Sequence, residues 1–134
     1  MANISSNRIR PAAVAGMFYS GDRRELAQAV DAMLAAAAQP APAQPVPKAI
    51  IAPHAGYIYS GPIAASVYAL LRPARVRITR VVLLGPTHRV AVRGLALPDA
   101  DGFATPLGAV SVDHDGVAAI RKLPQVTVSS AAHA

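Results

Sequence analysis

Two apolar runs constrain this chain more than any other feature. The first, KAIIA (residues 48–52), stops at Pro53 and is followed at once by His54. The second lies in RITRVVLLGP (residues 77–86), which stops at Gly85-Pro86 and is followed by Thr87 and His88. Short, near-continuous apolar runs bounded by turn residues predict buried strands of a parallel sheet. Between them, GPIAASVYALL (residues 61–71) predicts a helix, with Gly61 at the cap and Pro62 at the first helical position. Strand, helix, strand is the pattern of a βαβ unit with a right-handed crossover.

That pattern has a chemical consequence. In open parallel sheets, ligands bind beyond the carboxyl ends of the strands. His54 and His88 both occupy such positions, so adjacent strands would bring the two imidazoles to one edge of the sheet. A lone histidine after a strand is usually a turn-bonding residue, but two in matching positions make a candidate site. Two neutral imidazoles suit Fe(II), Zn or Cu. A tight site needs a third ligand, usually a carboxylate or thiolate. The chain has no cysteine, and its single glutamate, Glu25, is placed to cap a helix. Asp99, Asp101, Asp113 and Asp115 remain as carboxylates, each with a competing turn or cap role. His114 lies between two aspartates at an expected helix start and is expected to be exposed. His133 stands next to the terminus and carries little information.

Tyr57, Tyr59 and Ser60 follow His54 closely, and with Thr87 they are the candidate pocket residues around the two histidines. A tyrosine hydroxyl there could donate to a bound oxyanion, or both rings could pack and leave the hydroxyls in water. Gly56, Gly61 and Gly85 fit turns or close backbone approaches. Thr105-Pro106-Leu107-Gly108 reads as a β-turn with Pro106 at its second position and Gly108 closing it.

The rest of the chain is read from local signals. SGDRRELAQAVDAMLAAAAQP predicts a helix with Asp22 as N-cap, Glu25 completing a capping box, and Pro40 beyond the end. Residues 39–48, QPAPAQPVPK, form a Pro-Ala-rich connector. GLALP (94–98) and QVTVSS (125–130) predict strands, TPLGAVSVD (105–113) a turn feeding a strand, and GVAAIRKL a helix capped by Asp113 or Asp115. No internal repeat is found. The overall expectation is an α/β fold with a mostly parallel sheet flanked by helices.

Composition narrows the function classes. The 134 residues suit one domain, and 53% are hydrophobic, but much of that is alanine, which predicts a thin core. No apolar run reaches the length of a membrane span, and the N-terminus lacks a signal-peptide pattern, so a cytoplasmic location is the expectation. The formal net charge is +6, yet the arginines are scattered from Arg8 to Arg121, with one cluster at Arg72, Arg75, Arg77 and Arg80. Such scatter argues against nucleic acid as a partner.

RPAAVAGMFYSGD, IIAPHAGYIYSG, VVLLGPTH and TPLGAVSVD, in this order and spacing, resemble the Memo family, whose prokaryotic members include AmmeMemoRadiSam system protein B. The resemblance runs from about Arg10 to the end of the chain, with its motifs between about 10 and 130. It implies a fold similar to that of the class III extradiol dioxygenases, non-haem Fe(II) enzymes with two histidine ligands and a carboxylate. It also implies that His54 and His88 are metal ligands for Fe(II) or Cu in a redox-related site. Within the family the third ligand comes from the C-terminal part of the domain, and after a segment like VSSAAHA members run on into a motif resembling EHSLE. The expectation is therefore residues 1–134 as a single incomplete Memo-like domain, an N-terminal fragment whose third ligand is missing. Catalytic residues are not identified, and whether the chain is an enzyme stays open. Two alternatives accompany this reading: a non-enzymatic module binding a peptide or small acid in the same pocket, and an extradiol-type dioxygenase. The resemblance further implies association with radical SAM and AMMECR1-type proteins, and an exposed sheet edge would favour self-association.

Overall fold

The computed structural model describes residues 8–133. The chain divides into two compact units, one formed by residues 14–81 and the other by residues 8–13 with 82–133. Together they hold helices and small sheets of both parallel and antiparallel pairing, a mixed α/β structure.

The unit of residues 14–81 is helical. Helix α1 spans Arg23–Ala36 and starts where the sequence predicts. Asp22 Oδ1 accepts from Glu25 N at 2.9 Å, which satisfies one of the amides a helix start leaves open. The Glu25 carboxylate turns to Ser20, whose Oγ donates to it at 2.7 Å, and Ser20 Oγ accepts from Asp22 N at 3.1 Å. The cap is thus a three-residue relay rather than the reciprocal box. At the other end, Gln39 Nε2 donates to Leu34 O at 3.1 Å and Ala37 O at 2.7 Å, closing carbonyls the last turn leaves open. Leu26 is the buried residue of α1.

Helix α2 spans Tyr57–Tyr68 and continues into a 3-10 helix, Ala69–Ala74. This corrects the expected start at Gly61-Pro62. Gly56 is the N-cap, and Pro62 sits inside the helix, where its missing N–H leaves one helical bond unmade. The earlier start is secured by Tyr57 N, which donates to Phe18 O at 2.8 Å, a tie that no local sequence signal announces. Ser60, Gly61 and Ala65 are buried along α2, with Ala69 and Ala74 beyond it. The core of this unit is therefore mostly small side chains, as the alanine content predicts, and each contributes little buried area.

The second unit carries the strands. β1 (Ile9–Arg10) pairs parallel with β3 (Gly102–Thr105), and β3 pairs antiparallel with β4 (Gly108–Ser111). β2 (Leu95–Leu97) pairs parallel with β5 (Val126–Val128), in register from Leu95 with Val126 to Leu97 with Val128. The β3–β4 hairpin closes on the Thr105–Gly108 turn read from the sequence. Thr105 Oγ1 donates to Gly108 O at 2.8 Å and accepts from Leu107 N at 3.1 Å. Gly108 has φ +140°, a conformation that disfavours any side chain. Helix α3, His114–Ile120, is capped by Asp113, whose Oδ1 accepts from Gly116 N at 3.0 Å. A 3-10 turn, Ala131–His133, follows β5.

Two expected strands do not form. Residues 48–52 and 77–86 lie outside every strand, and no ladder among the described residues pairs with them. An apolar run specifies burial, but a strand exists only when a neighbour takes its backbone bonds. The apolar side chains are instead in water: Ile51 is 95% exposed and Leu83 84%.

Candidate functional site

The stretch PHAGYIYSG places the first half of the candidate site at the head of α2. His54 is exposed in the irregular segment before the helix, two residues ahead of the N-cap Gly56. Ser60 is buried and its Oγ donates to Ala55 O at 2.7 Å, so it serves as a brace for the turn rather than as a free hydroxyl. Tyr57 packs its ring against Tyr19, centroids 5.5 Å apart and tilted by 44°. Burial pushes the Tyr57 hydroxyl above its ordinary pKa, with further upward contributions from Tyr19 and Tyr68. Tyr59 points the other way and is 81% exposed. The two tyrosines that look alike in sequence thus differ: Tyr57 packs on Tyr19 and stays 38% exposed, and Tyr59 is largely in water.

Gly61 lies where α2 faces Met33 of α1. A Cβ there would stand 2.4 Å from Met33 Sδ, so α1 and α2 approach each other through the space its side chain would fill.

The second half belongs to the other unit. His88 and Thr87 are exposed, just past the irregular apolar run that ends at Pro86. A Cβ on Gly85 would meet nothing within 4 Å. Pro106 and Gly108 belong to the β3–β4 turn. Because neither 48–52 nor 77–86 is a strand, both histidines sit on irregular backbone rather than at strand ends. Among the described residues, no group of three or more His, Cys, Asp or Glu side chains is arranged to hold one metal ion.

Sequence reasoning missed a polar network in the same unit as β1 and β3. Asp101 Oδ2 accepts from Arg8 N at 2.8 Å, while Asp101 N donates to Arg8 O at 2.8 Å. Arg8 Nη1 also meets Asp99 Oδ1 at 2.6 Å, and His114 Nε2 lies 3.6 Å from Asp101 Oδ1. Arg10 Nε donates to His133 O, and the guanidinium lies over the Phe103 ring. His133 Nε2 donates to Ala96 O at 3.0 Å. A cavity of about 250 Å³ opens beside Arg8, Arg10, Asp99 and His133, and neither His54 nor His88 lines it. His133 looked uninformative because its partners, Ala96 and Phe103, are far away in sequence.

Relatives give the chain its place. The Memo-like protein family model matches residues 10–134. A MEMO1 family protein of Aquifex aeolicus is 38% identical over 128 residues, covering 94% of this chain and 45% of the relative. Protein MEMO1 of Xenopus laevis is 42% identical over 110 residues, 81% of this chain and 35% of the relative. A MEMO1 family protein of Methanocaldococcus jannaschii is 37% identical over 136 residues, 95% of this chain and 47% of the relative. The chain therefore spans less than half the length of these relatives. No helix among the described residues is long and apolar enough to cross a membrane. With the family match covering nearly the whole chain, and the PHAGYIYSG and GPTH motifs within it, the chain belongs to the Memo family.

Proposed function

We propose that this chain is a redox-related metal-binding Memo protein in which His54 and His88 hold Fe or Cu, with a third ligand from outside the described residues. One observation carries the reading. Each histidine is exposed and closely follows a Pro-terminated apolar segment, the same placement in two separate stretches of the chain. A histidine serving only to fill a turn in the core would be buried.

Tyr59, 81% exposed and five residues beyond His54, supplies a hydroxyl able to donate to an oxygen of a bound small acid. A bound Fe or Cu ion would supply one-electron chemistry. The chain's own contribution is to hold and orient it.

The test is an anaerobic Fe(II) titration, with a parallel Cu titration, of the 134-residue chain and a His54→Ala/His88→Ala variant. Saturable binding in the wild type and its loss in the variant are expected. Equal binding by both chains, or saturable binding by neither, overturns the proposal.

A further inference from the structure

The cavity beside β1 has about 250 Å³, just under the roughly 300–1,000 Å³ of pockets that hold drug-sized molecules. Its size therefore suits a smaller ligand. Ile9, Pro11 and Pro98 give it apolar walls, and Arg8, Arg10 and Asp99 bring charge to it. An apolar hollow with a few charged groups is the usual make-up of a small-molecule site.

The two arginines differ. Arg8 is matched by carboxylates, with Nη1 2.6 Å from Asp99 Oδ1 and Nε 3.9 Å from Asp101 Oδ2. Arg10 has no carboxylate partner among the described residues. Neutral groups hold it instead. Its Nε donates to His133 O, and its guanidinium carbon lies 5.5 Å from the ring centroid of Phe103, its direct partner across the β1–β3 ladder. The Phe103 ring in turn meets the His133 ring edge-on, with centroids 6.3 Å apart. The guanidinium is thus fixed by one N–H and one face. Its Nη1 and Nη2 have no acceptor among the described residues. A planar fork held in this way is suited to a carboxylate, which it binds through two parallel hydrogen bonds.

Charge narrows the class of anion. With Arg8 matched by Asp99 and Asp101, the lining keeps one uncompensated positive charge, on Arg10. One negative charge balances it. A phosphate dianion would leave an excess negative charge facing Asp99, which costs energy in a partly desolvated cavity.

We propose that this cavity binds a small aliphatic monocarboxylate, with the carboxylate on Arg10 and the hydrocarbon part against Ile9, Pro11 and Pro98. Neither His54 nor His88 lines the cavity, so this site is independent of the metal reading.

The experiment titrates hexanoate into the full 134-residue chain, isotope-labelled, and follows the backbone amide resonances. Expected are saturable shifts gathered at residues 8–11, 98–100 and 130–133, with affinity at least about tenfold weaker in Arg10→Gln. Hexanol, with the same hydrocarbon chain and no charge, and inorganic phosphate should each bind the parent chain at least about tenfold more weakly than hexanoate. The absence of saturable shifts overturns the proposal, as do shifts centred on other residues or equal affinity in a folded Arg10→Gln chain. Hexanol binding as tightly as hexanoate overturns it in favour of a purely apolar cavity, and phosphate doing so overturns it in favour of a general anion site. If Arg10→Gln does not fold, the comparison of the three probes on the parent chain decides alone.

Discussion

Gly61 of α2 lies so close to Met33 of α1 that a Cβ on it would stand 2.4 Å from Met33 Sδ. Two effects oppose each other at this position. Alanine favours the helix over glycine by about 1 kcal/mol, but forcing a methyl into filled space costs about 1–3 kcal/mol. The facing atoms are Sδ and Cε of Met33, the far end of a flexible side chain that can swing aside, so the clash costs little and the helix preference prevails. Gly61→Ala should therefore be neutral or raise stability by up to about 1 kcal/mol, read as an unchanged or higher urea midpoint. In a Met33→Ala background, with the contact gone, the full gain of about 1 kcal/mol should appear. A Gly61→Ala effect of the same size in both backgrounds would show that the Met33 contact does not decide it.

Asp22 is the acceptor that starts α1. Asp22→Ala should cost about 1 kcal/mol, and Asp22→Asn much less, since the amide oxygen still accepts from Glu25 N. Thermal unfolding of the two variants side by side gives the comparison. Equal losses would assign the effect to charge at the helix N-terminus rather than to the hydrogen bond.

These two helices show what was legible in the sequence. Both ends of α1 are written locally, in Asp22, Glu25 and the Gln39-Pro40 pair, and the helix falls where those signals put it. The start of α2 is not local. Gly61-Pro62 imitates a helix beginning, but the tie from Tyr57 N to Phe18 O adds a turn ahead of it. β1 escaped notice because Ile9 becomes a strand residue only by pairing with Gly102, far along the chain. The runs at 48–52 and 77–86 carry the opposite error, since their apolar residues announce a need for cover and say nothing of its source. The candidate site divides the same way. His54 and His88 stand out through their neighbours in sequence, whereas a third donor would be defined only by tertiary structure.

Asp101 and Asp99 both face Arg8, and their contributions should differ. Asp101 joins Arg8 through backbone and side chain at once, and its side chain is 24% exposed. The Arg8–Asp99 pair is open to water, at 54% and 45% exposure, where ion pairs are screened. Asp101→Ala should cost about 1–2 kcal/mol through the lost acceptor for Arg8 N. Asp99→Ala should cost at most about 0.5 kcal/mol and should have no effect in high salt. Urea unfolding at low and high ionic strength separates them, and a larger loss from Asp99→Ala would reverse the assignment.

Tyr57 carries a pH dependence whose sign follows from its surroundings. Burial, then Tyr19 and Tyr68, hold its hydroxyl above the ordinary tyrosine pKa in the folded chain. The unfolded chain releases that proton first, near pH ~10. Between the two pKa values the folded state binds more protons, so stability falls as pH rises. Below the unfolded value the contribution is fully present. Tyr57→Phe removes the titrating group and should flatten the stability curve above pH ~10, while leaving its shape near neutrality unchanged. In the native protein, the phenolate absorbance lost on this substitution should come from the alkaline end of the titration. A loss from the early part of the curve would mean that the Tyr57 hydroxyl is solvated in the folded chain.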